Sequence, residues 1–174
     1  MDWASQLGGL LQQYTGMSPE QAPAETTNHF QQVASVAPKE HVAEGLAEAF
    51  RSNQTPAFGS MLSNLFGQSD PNQRAGLLNT LLSSVGPGVL ASVLSRSGSG
   101  GGILDAIRGG GHITPEQASQ VPPEAVHEMA AEAEKKNPSV VDRVGEFYAD
   151  HPTLVQALGA GALAVAMGKM GHRL

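Results

Sequence analysis

Prolines punctuate this chain at intervals close to the length of a short helix, and no other feature restricts its fold as much. Pro fixes φ and lacks an N–H, so a helix tolerates it in the first turn and hardly anywhere else. It falls at Pro19, Pro23, Pro38, Pro56, Pro71, Pro87, Pro115, Pro122, Pro138 and Pro152. Most successive gaps run 14 to 18 residues, room for one helix of about ten to fourteen residues and a turn. Ser18, Thr55, Asp70, Thr114 and Asn137 each precede a proline, and their side chains can accept from the free amides of a first turn. The pattern predicts an all-α chain of eight to ten short helices.

Apolar spacing agrees, because side chains three or four apart share a helix face. Trp3, Leu7, Leu10, Leu11 and Tyr14 make one such stripe, and Phe58, Met61, Leu62, Leu65 and Phe66 another. Leu77, Leu78, Leu81, Leu82 and Val85 continue it, as do Val126, Met129 and Ala133. No stretch shows sustained period-two alternation rich in β-branched residues, so no sheet is expected. Between residues 95 and 111 the chain turns Gly- and Ser-rich around an apolar island at Ile103, Leu104 and Ile107. Glycine loses the most backbone entropy on ordering. The expected division is therefore a helical part at 1–94, a flexible linker at 95–111 holding about one helical turn, and a helical part at 112–174, in two bundle-like halves.

The halves share a motif. Ser18-Pro19-Glu20-Gln21-Ala22 recurs as Thr114-Pro115-Glu116-Gln117-Ala118, and the same offset of 96 relates Phe30 to Val126, Val33 to Met129, Phe58 to Leu154 and Leu62 to Leu158. Internal duplication is one explanation. The other is that Ser/Thr-Pro-Glu-Gln is a good helix start, with Gln21 and Gln117 completing a capping box.

A Leu- and Gly-rich segment at 77–94, a Gly-rich connection, and Ile113-Thr114-Pro115-Glu116-Gln117 opening a helical module together resemble the YidB-like group of small bacterial proteins over roughly residues 77–145. The resemblance implies a bacterial, mostly helical protein with no assigned activity, and it supplies no site residues.

Composition removes several chemistries. With no Cys there are no disulfides, thiolate nucleophiles, iron–sulfur clusters or cysteine-ligated zinc. With 10 Lys+Arg against 16 Asp+Glu and a net charge of -6, phosphates have little to neutralise them. Arg51, Arg74, Arg96, Arg108 and Arg143 are scattered, so nucleic acid is not an expected partner. No Ser lies in G-x-S-x-G and no phosphate loop follows the glycines at 98–102. Asp150-His151-Pro152 reads as a helix corner with Asp150 or His151 capping, rather than an acid–base pair. Gly159-Ala160-Gly161-Ala162-Leu163-Ala164 matches G-x-G-x-x-A, but lacks the preceding strand and the later acid of a dinucleotide site.

Two constellations remain. Glu124 and His127 form the E-x-x-H spacing that di-iron bundles use twice; here it occurs once, with Glu25 and His29 spaced four apart elsewhere. Against the metal reading, Glu124, Glu128 and Glu132 followed by Lys135 and Lys136 suit a solvated face, with Glu132 pairing Lys136. Neither a metal nor another cofactor is expected. The second is the run without polar side chains at 157–168. At 12 residues it falls well short of the ~20 a bilayer core requires, so membrane contact is disfavoured. Its small residues Ala157, Gly161, Ala164 and Gly168 suit a close helix–helix contact.

The reading that results is a non-enzymatic helical interaction or self-association module, its partner itself or another protein. The alternative is a hydrophobic-ligand or lipid-binding protein with a cavity lined by Phe58, Met61, Phe66 and Met167; a metal-binding bundle at Glu124 and His127 ranks below both. Met1-Asp2-Trp3 shows no secretory signal, so the expected location is the cytoplasm.

Overall fold

Most of the prolines stand at a helix start, though Pro23, Pro56 and Pro138 do not. In the computed structural model, which describes residues 2–52, 54–97, 101–109 and 112–172, the chain is all-α, with no strand among the described residues. The order is α1 (Trp3–Gln12), a 3-10 turn (Pro19–Gln21), α2 (Thr26–Val36), α3 (Lys39–Arg51), α4 (Phe58–Gln68), α5 (Pro71–Val85) and α6 (Pro87–Ser97). There follow α7 (Gly101–Arg108), α8 (Pro115–Ala118), α9 (Pro123–Lys136), α10 (Val140–Ala149), α11 (Pro152–Val155), a 3-10 turn (Gln156–Leu158) and α12 (Ala160–His172). The described helices number twelve, above the eight to ten expected, and the single-turn helices α8 and α11 account for the excess. Each starts with Pro at N1 and runs for only 4 residues, too short for apolar periodicity to reveal.

Local hydrogen bonds decide which candidate starts cap a helix. Asp70 Oδ1 accepts from Gln73 N at 2.8 Å while Gln73 Oε1 accepts from Asp70 N at 3.0 Å. Thr114 and Gln117 make the same reciprocal pair at 3.2 and 3.0 Å. Two expected starts behave otherwise. Thr55 donates back to the carbonyls of Ala49 and Ser52, so it closes α3 instead of capping α4, which begins three residues later. Asn137 ends α9 and donates to Ser84 O at 3.0 Å. At the 150–152 corner neither expected cap forms: His151 makes no side-chain cap bond and Asp150 pairs with Lys39.

The chain forms two compact units, residues 1–57 with 145–174, and residues 58–144, with one boundary between α3 and α4 and the other inside α10. This differs from the halves expected on either side of 95–111. That stretch lies within the second unit because its apolar island is core: α7 buries Ile103 and Ile107 completely and packs against α6 and α8. Residues 98–100, 110 and 111 of the expected linker lie outside the described residues.

In the first unit α12 is the central element, packed mainly on α3 and also on α1, α2 and the 19–21 turn. In the second, α4 lies along α9, α5 contacts α8 and α9, and α6 covers α9. Offset-96 equivalence holds for α2 and α9, where Phe30 and Val126, and Val33 and Met129, are all buried. It fails further on: Phe58 and Leu62 lie in the continuous α4, whereas Leu154 and Leu158 lie in α11 and a 3-10 turn.

Candidate functional site

Glycines on α12 bring its backbone against the end of α1. A Cβ at Gly168 would stand 2.5 Å from Tyr14 O, one at Gly171 2.8 Å from Leu11 O, and one at Gly161 3.0 Å from Pro19 Cβ. On the opposite side Gly45 of α3 admits Met170 and the Ala166 carbonyl, at 2.6 and 2.9 Å from its would-be Cβ. Gly161 and Gly168 are therefore in close contact inside the first unit, and Ala164 is fully buried. Ala157 stands apart from them. Gly159, at φ 89°, is in a backbone region open to glycine and breaks the helix, which leaves Ala157 in the preceding 3-10 turn. The segments on either side of this break are bent by 118°, and no single helix among the described residues is long and apolar enough to cross a membrane.

Beside this contact the turn after α1 and the C-terminal half of α12 leave a half-enclosed cleft of about 260 Å³. Residues 14–17 form one wall and Val165 and Gly168 the other; Gln54, Lys169 and His172 stand around it. Gly16 makes the turn at φ 76°. Tyr14 anchors the wall: its ring is fully buried, and its hydroxyl lies 2.5 Å from His29 Nδ1 and 3.4 Å from Thr26 Oγ1. Thr26, also buried, donates to Pro23 O at 2.6 Å. The cleft wall is thereby fixed to α2 through side chains that are themselves satisfied.

The second unit carries a shallower groove. Ser60 and Ser63 of α4 and Glu124, His127 and Glu128 of α9 line it, and it holds about 390 Å³. It forms because Gly59 lets α4 approach α9; a Cβ there would stand 2.7 Å from His127 O. Glu124 and His127 thus share one groove, as their spacing requires, yet no three His, Asp or Glu among the described residues are placed to hold a metal ion. Glu128 instead faces Arg96 at 4.0 Å, and Glu132 pairs with Lys135 at 3.9 Å, one residue short of the expected Lys136. His29, a member of the other acid–histidine pair, faces the Tyr14 hydroxyl.

Phe58, Met61, Phe66 and Met167, the expected cavity lining, are core residues of their units. All four are at most 3% exposed, the first three in the second unit and Met167 in the first, and none lines the cleft. Tyr148 is the other notable polar group. Its hydroxyl is buried without a hydrogen-bond partner among the described residues, and the ring packs against Phe147 and Phe50. Burial pushes its ionisation far above the ordinary phenol range.

Sequence reasoning missed the cleft, since it is assembled from residues 14–17, 54 and 165–172. The available signal was Gly16 between Thr15 and Met17 and Gly168 beside Lys169, each a glycine next to a side chain of the site. No family model, curated protein or solved structure matches the chain.

Proposed function

We propose that the protein is a non-enzymatic helical binding module that holds a small amphipathic molecule in the cleft between the 14–17 turn and α12. The observation that supports this reading is the cleft's makeup. Val165 and Met17 offer apolar contact, while Thr15, Gln54, Lys169 and His172 supply polar groups. Small-molecule sites likewise pair a concave surface with apolar contact and a few polar groups that fix orientation; here the polar share is about half. At about 260 Å³ the cleft lies just below the usual range of roughly 300–1,000 Å³ for ligand pockets, which favours a small ligand.

Self-association has less support. Its motive is surplus apolar surface on the short Leu-rich helices and the small-residue helix, and on the latter Gly161, Gly168 and Gly171 already meet Pro19, Tyr14 and Leu11 of the same unit. Among the described residues Val36 is the one exposed large hydrophobic, and a lone exposed apolar side chain is ordinary on a protein surface. Light scattering across a hundredfold concentration range should give a monomer; a defined oligomer would restore association as the function to pursue.

The binding reading is tested by titrating the protein with hexan-1-ol and following backbone amides by NMR. Saturable shifts confined to residues 14–17 and 165–172 are expected, and Met17→Trp, which fills the cleft, should remove them. Shifts that never saturate, or that spread evenly over the surface, would overturn the proposal.

A further inference from the structure

We infer that the cleft selects an anion, specifically a small carboxylate with a short apolar tail; the inference rests on the binding reading above. The chain carries 16 Asp+Glu against 10 Lys+Arg, yet the cleft is lined by Lys169 and His172 and by no acidic residue. A site of that composition runs against the charge of the whole chain.

Three features make the two residues a usable pair. Lys169 and His172 are three apart on α12, so they project from the same side of the helix. Neither has an ion-pair partner among the described residues, so none of those residues supplies a counter-charge that a ligand would first have to displace at Lys169. The backbone beneath them is fixed, because Gly168 sits against Tyr14 O and Tyr14 is held by His29 and Thr26. A charge placed on a rigid element costs little further ordering when it binds.

Helix-dipole complementarity alone would also favour cations in the last turn of α12. It does not account for a concavity beside them, nor for the Gln54 amide reaching the same space from the α3–α4 connection. A carboxylate at the Lys169 ammonium gains a charge-assisted hydrogen bond, with the Gln54 amide as a second donor. The tail then lies toward Val165 and Met17. The length is limited by the cleft volume.

Three probes of equal tail and different charge decide the question: hexanoate, hexan-1-ol and hexylammonium, each titrated into the full chain and followed by amide NMR. Hexanoate should bind about tenfold or more tighter than hexan-1-ol, with hexylammonium weakest, and raising the salt should narrow the gap. Lys169→Met, at an exposed position, should reduce hexanoate to the affinity of hexan-1-ol while leaving hexan-1-ol and the Tm unchanged. If hexan-1-ol binds as tightly as hexanoate, anion selection is wrong and the binding reading stands. If no probe gives saturable shifts at the cleft, both are wrong. A hexanoate preference that survives Lys169→Met and His172→Ala would remove those two residues from the site.

Discussion

Tyr148 keeps a hydroxyl in the interior of the first unit with nothing to bond to among the described residues. A buried hydroxyl without a partner costs roughly 1–3 kcal/mol, so Tyr148→Phe should stabilise the protein by about 1 kcal/mol in chemical denaturation. The same burial sets an alkaline limit. The unfolded chain loses this proton near pH 10 while the folded chain retains it well above that. The contribution is complete below pH 10 and is lost as pH rises beyond it, and the loss should be shallower in Tyr148→Phe. Glycines on helices divide at this scale too. Gly168→Ala drives a methyl into Tyr14 O and should destabilise by about 1–3 kcal/mol. Gly9, in the exposed interior of α1 with nothing within 4 Å of a would-be Cβ, should gain about 0.5–1 kcal/mol as Ala. Stability curves of the two variants should move in opposite directions.

Among the elements, the starts that could be read from sequence are those whose hydrogen bonds close within three residues. Asp70 with Gln73 and Thr114 with Gln117 are complete in one turn, so residue type and spacing suffice to identify them. Asp70→Ala should cost about 1 kcal/mol, and amide exchange in the first turn of α5 should quicken; unchanged exchange there would count against the cap. Thr55 and Asn137 looked the same in sequence, but their side chains went elsewhere, Thr55 back to α3 and Asn137 across to Ser84. Such choices depend on which carbonyl is within reach after packing, and proline spacing carries no information about that. Of the small-residue stripe, Gly161 and Gly168 meet Pro19 and Tyr14, which lie in turns. Neither those partners nor the stripe's lower limit was legible, since a single left-handed glycine at 159 separates Ala157 from the rest.

For the molecule as a whole, all-helical character follows from proline spacing and apolar periodicity, but the units do not. Glycine density at 95–111 suggested a boundary, whereas Ile103 and Ile107 make part of that stretch core. Of the two actual boundaries, one follows Pro56 between α3 and α4, but the other falls within the regular helix α10. Unit membership is decided by long-range burial of α12 on α3 and α1, which local composition cannot report. Contacts far apart in sequence form slowly because the loop between them must close first. In pulse-labelled refolding, amides of α4, α5 and α9 should gain protection before those of α12; simultaneous protection would mean the units fold together. The same connectivity matters during translation. Residues 1–57 leave the ribosome long before α12 exists, and at ~5–20 residues per second the intervening hundred or so take about 5–20 seconds to make. Throughout that interval α1 to α3 lack the helix that covers Leu11, Tyr14 and Gly45, so every nascent chain presents this surface to chaperones and proteases before it can close.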